Sequence, residues 1–321
     1  MGTISKISNI SISNISKFSG ISLSGIDNID GQGLFSNTQS LSHGTANSTD
    51  AVYAASTDSD FQLIQTDAWS VSFWIKVGWT SSVNMSCHLI ASDGGSVHNN
   101  MWRVYYNETN NRLYFGFRSA NTYKSNNFWY FHHTGAGEAG AQSGLGTSYP
   151  SDNWMSSNPG YVNADGFTLI TITKGTDTKA TRANVTAYWN GQNLGDAYWL
   201  NGCTNNCNTP AMNASTTRNF AIGNNSWNYG SAQGGDGVPS LYDEVALWDK
   251  ELNSTEVLEI WNGADPPVLG DTTGTPTNLQ TSSMVANLIG YWRFETNGTV
   301  STVGSATLTL DGSSTTSTTH A

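Results

Sequence analysis

Apolar residues recur at fixed positions through the first 36 residues, and nearly every residue between them is Ser, Asn, Gly or Asp. Three blocks of 11 residues begin at Ile4, Ile15 and Ile26, and the third block lacks one of the four apolar positions of the first two, because Gln32 occupies it. The apolar positions are Ile4, Ile7, Ile10, Ile12, Ile15, Phe18, Ile21, Leu23, Ile26, Ile29 and Leu34. An 11-residue period is compatible with a right-handed helical supercoil. The β-branched residues and the scarcity of helix formers favour extended structure instead.

A segment of this kind cannot cover its own apolar stripe. We therefore expect residues 1–36 to form an extended assembly arm that is covered by the following domain, by copies of the same chain or by another protein. A flexible polar tail is the alternative, although disordered tails are usually poor in β-branched residues.

From about residue 50 onward the chain consists of short alternating runs separated by turns, which predicts an all-β sandwich. Asn190-Gly191 predicts a tight hairpin turn after one of these strands. The predicted strands are 69–77, 102–106, 113–117, 167–173, 185–189, 220–222, 241–248, 288–294 and 306–310.

Three segments depart from this pattern. Residues 121–166 are rich in Gly, Ser, Asn and aromatic residues and predict a long inserted loop. Residues 253–263 predict one short helix, because a polar cap and an early Glu precede apolar residues at helical spacing and Gly263 follows as a terminator. The buried face of this helix is expected at Val257, Ile260 and Trp261. Residues 312–321 predict a flexible tail.

The charge balance narrows the class of partner. The chain has 13 Lys and Arg against 24 Asp and Glu, a net charge of −11 with no basic run, which argues against nucleic acid. No stretch approaches the roughly 20 apolar residues of a membrane span. The first residues lack the pattern of a signal peptide, so export, if it occurs, is expected by another route.

Candidate catalytic acids are few. A glycosidase needs two carboxyl groups that flank the scissile bond. Asp243 and Glu244 are adjacent on a predicted strand and are expected on opposite faces. No other predicted strand carries two acids at alternating spacing, so we expect no catalytic residue and no enzymatic activity.

Metal and disulfide sites are equally sparse. Asp93 and Asp236 stand in Asp-Gly sequences and are candidate loop ligands for Ca²⁺, with ordinary turns as the alternative. No other cofactor is expected, and the histidines show no zinc-binding pattern. Cys203 and Cys207 could close a small disulfide ring in an oxidising environment or stay as two thiols.

Four motifs together carry a family resemblance. They are Val71–Lys76, Phe167–Lys174 continuing to Val185–Gly191, Phe220–Asn224, and Leu241–Leu252 with the helix that follows. In this order they resemble the laminin-G-like jelly rolls of the concanavalin A-like lectin/glucanase superfamily, over about residues 50–311.

One departure from the family order stands out. The segment 288–295 usually comes first in such domains, but here it lies near the C-terminal end. The resemblance therefore implies a circularly permuted jelly-roll domain at 37–311, completed by strands within 288–310.

The resemblance also suggests functions. Lectin-like domains bind sugars through aromatic faces, and the candidates here are Trp129, Tyr130, Trp154, Trp199, Trp227 and Tyr229, with packing inside loops as the alternative. The combination of arm, jelly roll and few charges resembles structural proteins of tailed bacteriophages. It predicts a non-enzymatic virion protein (tail fibre, appendage or capsid decoration) that is assembled in the host cytoplasm and exposed on the particle.

The partners expected for a virion protein are the chain itself, as a trimer or higher homo-oligomer, other virion proteins and host glycans. The alternatives are a free carbohydrate-binding lectin and a subunit of an extracellular filament assembled by strand addition.

Overall fold

We examined the chain as a computed structural model. It describes residues 6–7, 10–11, 17–18, 21–22, 28–29, 32–33, 37, 39–43, 52–54, 68–77, 86–94, 99–107, 112–118, 126–132, 165–176, 185–196, 198–199, 218–223, 240–263, 272–295, 303, 308–310, 315–317, 319 and 321. The chain divides into two compact units, Met1–Ser36 and Asn37–Ala321.

The described part of the first unit consists of three β-hairpins that repeat every 11 residues. Ile7 lies opposite Ile10, Phe18 opposite Ile21, and Ile29 opposite Gln32. The strands are β1 (Lys6–Ile7), β2 (Ile10–Ser11), β3 (Lys17–Phe18), β4 (Ile21–Ser22), β5 (Asn28–Ile29) and β6 (Gln32–Gly33).

Extended structure was predicted for this segment, and its described residues form short β-hairpins in which the chain reverses direction within each repeat. Two residues separate the paired strands each time, and in the second and third repeats they are Ser19-Gly20 and Asp30-Gly31. Short loops that contain Gly favour tight hairpin turns, so the sequence carried this signal.

The second unit is built from antiparallel strands. In chain order they are β7 (Ser40–His43), β8 (Val52–Ala54), β9 (Trp69–Val77), β10 (Ser86–Gly94), β11 (Asn99–Asn107), β12 (Arg112–Arg118), β13 (Asn126–His132), β14 (Thr168–Lys174), β15 (Val185–Trp189), β16 (Gln192–Asp196), β17 (Tyr198–Trp199), β18 (Arg218–Ile222), β19 (Ser240–Trp248), β20 (Leu288–Trp292), β21 (Leu308–Leu310) and β22 (Thr315–Ser317).

These strands form two sheets. Sheet I has the order β17-β13-β12-β11-β10-β18-β8-β21, and sheet II has the order β16-β15-β14-β9-β19-β7-β22, with β20 also paired to β19. The C-terminal strands β21 and β22 thus lie at one edge of each sheet. Within the described residues, the predicted all-β sandwich class with one short helix is confirmed.

Local sequence explains several of these elements. Asn190 and Gly191 adopt φ values of 49° and 77° and join β15 to β16, as the predicted hairpin turn requires. The backbone amide of Leu169 donates to Oδ1 of Asn190 at 2.8 Å, which anchors this turn to β14.

The helix α1 spans Ser254–Trp261 and begins with a capping box. The side chain of Asn253 accepts from the backbone of Glu256, and the Glu256 carboxylate accepts from the backbone of Asn253. Val257, Ile260 and Trp261 are buried, as predicted. The helix ends at Asn262 in the left-handed region with φ of 48°, one residue before the predicted terminator.

Sheet II is covered on both faces. On one face α1 and the segment 272–287, through Leu279 and Met284, pack against the sheet, and the Trp261 ring stacks on Trp74 with centroids 5.5 Å apart and planes at 18°. On the other face Val71, Phe73 and Ile172 are fully buried, which is the burial expected between the layers of a sandwich.

Two predicted loop regions contain strands instead. Residues 126–132, inside the predicted insertion 121–166, form β13 in sheet I, because a run of aromatic residues favours a pleated surface. Residues 315–317, inside the predicted flexible tail 312–321, form β22 on β7, and Ala321 is buried. Among the described residues, no helix is long and apolar enough to cross a membrane.

Candidate functional site

A row of four tyrosines crosses one end of sheet I. Tyr105 of β11 lies opposite Tyr114 of β12, which lies opposite Tyr130 of β13, which in turn lies opposite Tyr198 of β17. Neighbouring strands are about 4.8 Å apart, so this tyrosine row is about 14 Å long. It matches the length of a short oligomeric ligand.

The face that carries the tyrosine row follows from the adjacent register. A second row lies one residue away from the tyrosine row along each strand. It consists of Val104, Phe115, Trp129 and Trp199. Val104 is fully buried. Successive residues of a strand lie on opposite faces, so the tyrosine row lies on the face of the sheet opposite to that of Val104.

Polar residues accompany the tyrosines on this face. A second set of residues lies two positions from the tyrosine row along the strands. In this set Asn107 lies opposite Arg112, and Arg112 lies opposite His132. They supply an amide, a guanidinium and an imidazole position beside the aromatic row.

The row on the other side has a gap. Arg103 lies opposite Gly116, and Gly116 lies opposite Phe128. Gly116, two residues from Tyr114, contributes no side chain to this row. We call the face formed by these three rows the tyrosine face.

An arrangement of this kind suits a polyhydroxylated ligand. Aromatic rings offer flat apolar surfaces that pack against the C–H groups of a sugar ring. Nearby amide and guanidinium groups can donate hydrogen bonds to hydroxyl or carboxylate oxygens. The tyrosine face provides both kinds of position within three neighbouring strands.

The predicted glycan-contact residues are distributed unevenly. Tyr130 lies in the tyrosine row, whereas Trp129 and Trp199 lie opposite each other in the row of Val104, on the other face of the sheet. The remaining candidates lie outside the described residues: Trp154, Trp227 and Tyr229.

Two residues of the row, Tyr105 and Tyr114, were not predicted as contacts. Residues 112–118 alternate between apolar and other residues, Arg-Leu-Tyr-Phe-Gly-Phe-Arg, and this alternation was the available signal.

The candidate metal and disulfide positions gain no support from the described residues. Asp93 is not in a loop but in β10, opposite Asn219, because the strand continues to Gly94. Among the described residues, no group of three or more His, Cys, Asp or Glu side chains could hold a metal ion. Outside them lie Asp236, Cys203 and Cys207.

The acidic pair of β19 is buried inside the domain. A register shift separates Asp243 from Ala246 along β9, and Glu244 has a φ of 48° at this irregularity. Asp243 and Glu244 are exposed by only 0% and 3%, so neither carboxyl can reach a substrate from the surface.

Asp243 is held by three donors. Its Oδ2 accepts from Nδ2 of Asn37 at 3.0 Å and from the backbone amide of Ala321 at 2.9 Å, and its Oδ1 accepts from the backbone amide of Glu244 at 2.9 Å. Burial raises the pKa of Asp243 to about 8, and these hydrogen bonds only partly counteract it.

Glu244 has its own partners. Its Oε2 accepts from the Tyr291 hydroxyl, and its Oε1 lies 3.4 Å from Nε of Arg293. Burial, reinforced by the negative charge of Asp243, raises the pKa of Glu244 well above its ordinary value. Both carboxyl groups therefore hold the domain together and are occupied by groups of their own chain.

Comparisons with known proteins found solved structures of similar fold but no matching family. No family model matches the chain, and no curated protein matches it. Similar solved structures include a proposed carbohydrate binding protein from Bacteroides ovatus, with 11% identity and a TM-score of 0.45 over 90% of this chain and 62% of that one. The chain thus spans about three fifths of that protein.

Two further structures are similar over less of the chain. The heptameric SAP-like pentraxin from Limulus polyphemus has 12% identity and a TM-score of 0.38, over 73% of this chain and 88% of that one. The CBM40 of the Ruminococcus gnavus IT-sialidase, bound to α2,3-sialyllactose, has 10% identity and a TM-score of 0.39, over 70% and 99%. At these values the similarity concerns the fold and carries no argument about function.

Proposed function

We propose that the protein is a carbohydrate-binding module that binds its ligand on the tyrosine face of sheet I. The observation that carries this proposal is the tyrosine row, in which four tyrosines occupy consecutive strands on the face of the sheet opposite to that of the buried Val104. This proposal replaces the virion protein as the main interpretation and takes up the lectin alternative.

The tyrosine row differs from the residues that the outer face of a sheet usually carries. A sheet face away from the core normally carries polar residues, with large aromatic residues scattered singly. A contiguous aromatic row, flanked by Asn107 and Arg112 on one side and Arg103 on the other, is typical of a recognition surface.

The acidic residues that the structure describes are consistent with a protein that binds its ligand without cleaving it. The carboxyl groups of Asp243 and Glu244 are buried and bonded to their own chain. Strands β11, β12 and β13, which carry the tyrosine face, contain no Asp or Glu. The described strands of the tyrosine face therefore offer no pair of acids for glycosidic cleavage.

The test is a glycan array probed with the full-length protein, followed by affinity measurements on the hits. Replacing Tyr105 and Tyr114 together by Ala should weaken binding by at least about tenfold, since both stacking surfaces are lost. The matched control replaces the same two residues by Phe, which keeps the rings, and should retain most of the affinity.

Two results would contradict the proposal. One is the absence of any glycan ligand on a broad array. The other is a Tyr105→Ala, Tyr114→Ala variant that folds, as judged by circular dichroism, and binds as tightly as the wild type.

We also propose that the first unit mediates association between copies of the chain. Three separate two-stranded hairpins repeat there, with Ile7 opposite Ile10 and Phe18 opposite Ile21. Isolated two-stranded hairpins are marginally stable in water, so they gain from a partner surface.

Charge favours the first unit, rather than the second, as the surface for self-association. Residues 1–36 contain two Lys and two Asp, which leaves the full net charge of −11 on residues 37–321. Two bodies with that charge repel each other, so a neutral apolar segment is the better place for self-association. The virion role and location stay predictions from the sequence.

A further inference from the structure

We infer that the saccharide bound on the tyrosine face is anionic, carrying carboxylate or sulfate groups. This inference rests on the proposed function and specifies its ligand class.

The first observation is the distribution of arginine. The chain contains six arginines, and three of them, Arg103, Arg112 and Arg118, lie in the adjacent strands β11 and β12. Arg103 is two residues from Tyr105, and Arg112 and Arg118 are two and four residues from Tyr114, so all three positions are on the face of the tyrosine row. Half of the chain's arginines are therefore at positions on this face.

The second observation is the absence of acids from the strands that carry these arginines. Strands β11, β12 and β13 contain no Asp or Glu, although acids outnumber bases by 24 to 13 in the whole chain. Among the described residues, the nearest acid in register is Asp93 of β10, two residues from Ala91, which lies opposite Arg103. Glu108 lies between β11 and β12 in the sequence, outside the described residues. Within the described strands, the three arginines are thus accompanied by one carboxylate.

The third observation is the placement of the arginines relative to the tyrosines. Arg103 is two residues from Tyr105 along β11, and Arg112 is two residues from Tyr114 along β12, on opposite sides of the row. Two residues of a strand span about 7 Å. A saccharide that lies along the row would therefore have a guanidinium position on either flank.

The chemistry of arginine suits such a ligand. The planar guanidinium group donates paired hydrogen bonds that match the geometry of a carboxylate or sulfate. The acidic remainder of the protein repels anions, so the tyrosine face is where an anionic glycan meets favourable charge. Arginine side chains are costly to bury without a partner, which also disfavours internal packing of this face.

The experiment compares matched saccharides on the full-length protein by calorimetry. The pairs are 3′-sialyllactose with lactose, oligogalacturonate with its methyl ester, and chondroitin sulfate with desulfated chondroitin. They distinguish sialic acid, uronic acid and sulfate as the source of the charge. The variants are Arg103→Gln and Arg112→Gln.

A matched control is available in the same sheet. Arg218 lies in β18, opposite Gly94, away from the tyrosine row. Arg218→Gln removes the same charge and should leave binding unchanged.

The expected result is that at least one anionic saccharide binds about tenfold or more tighter than its neutral partner. Each of the two variants should lose roughly tenfold in affinity for that ligand, while affinity for the neutral partner stays the same. Raising the salt concentration from about 0.05 M to about 0.5 M should weaken the anionic ligand selectively, and this readout needs no variant to fold.

Two outcomes would overturn the inference, and they differ in what else they overturn. Equal affinity for charged and neutral partners, with no effect of either variant, would remove the anionic preference and leave carbohydrate binding intact. If no saccharide binds at all, both the proposed function and its ligand class are wrong.

Discussion

Nδ2 of Asn37 donates to Oδ2 of Asp243, 3.0 Å away and 206 residues later in the chain. The same amide donates to the carbonyl oxygen of Ala321 at 3.1 Å. One buried carboxyl group therefore joins the residue where the second unit begins, the central strand β19 and the segment after β22.

Replacing Asn37 by Ala should lower the free energy of unfolding by about 1–3 kcal/mol, because a buried carboxyl loses a donor. Urea denaturation of the full-length protein measures this change. Ser283→Ala is the matched control, since it removes an exposed hydrogen bond to Glu259 and should cost well under 1 kcal/mol. Equal losses of unfolding free energy in the two variants would show that the hydrogen bond from Asn37 to Asp243 stabilises the domain no more than an exposed one.

Tyr291→Phe should destabilise the domain by a similar amount, about 1–3 kcal/mol. The variant keeps the ring but removes the hydroxyl that donates to Glu244, which is 3% exposed. Glu244→Gln should cost less in the Tyr291→Phe background than in the wild type, because the hydrogen bond between the two side chains is already lost there. A Tyr291→Phe variant as stable as the wild type would contradict this account.

The stability of the domain should fall as the pH rises. The pKa of Asp243 is about 8 in the folded protein against an ordinary value of 3.8, so the folded state holds a proton that the unfolded state has released. This contribution is complete below about pH 4 and disappears as the pH passes about 8. The raised pKa of Glu244 acts in the same direction.

Thermal unfolding between about pH 5 and about pH 9 measures this dependence. The midpoint should decline across the range, and Asp243→Asn should make the decline shallower. A midpoint that rises with pH in the wild type would show that Asp243 and Glu244 do not dominate the pH dependence of stability.

Gly274→Ala should destabilise the domain by about 1–3 kcal/mol, because a methyl group at this position would overlap the ring of Trp261. Trp261 stacks on Trp74, so the near-ultraviolet circular dichroism of tryptophan should change as well. The control is Thr272→Ala, an exposed residue of the same segment. Unchanged stability and an unchanged spectrum would mean that the segment around Gly274 moves away from the Trp261 ring without a loss of folding free energy.

Placing Asp at Ile10 and Ile21 should reduce the mass of the assembly in solution, measured by light scattering on the full-length protein. A charge at these positions opposes burial of the hairpin face in a neighbouring copy. Placing Asp at Ser11 and Ser22 adds the same charge to the same strands and should leave the mass unchanged. If the wild type is monomeric, the association that we propose does not occur.

Much of the local structure could be predicted. The strand at Trp69–Val77, the turn at Asn190-Gly191 and the cap at Asn253 each depend on residues that are neighbours in sequence. Alternation, a positive φ and a capping hydrogen bond are short-range requirements, so the sequence displays them directly.

Other features depended on pairing between distant segments. Residues 315–317 resemble a polar tail in isolation and become a strand only because β7 offers an unpaired edge. Residues 126–132 resemble a loop until β12 and β17 pair on either side. In both cases the hydrogen-bond partner is missing from the local sequence.

The sequence by itself determined the sandwich class, the amphipathic helix and the 11-residue period of the first unit, because periodicity and capping are local properties of a chain. Only the tertiary structure decided which side chains share a face. The tyrosine row exists because the registers of four strands bring Tyr105, Tyr114, Tyr130 and Tyr198 side by side. A shift of one residue in any of these pairings would move a tyrosine out of the row, and the sequence does not state that register.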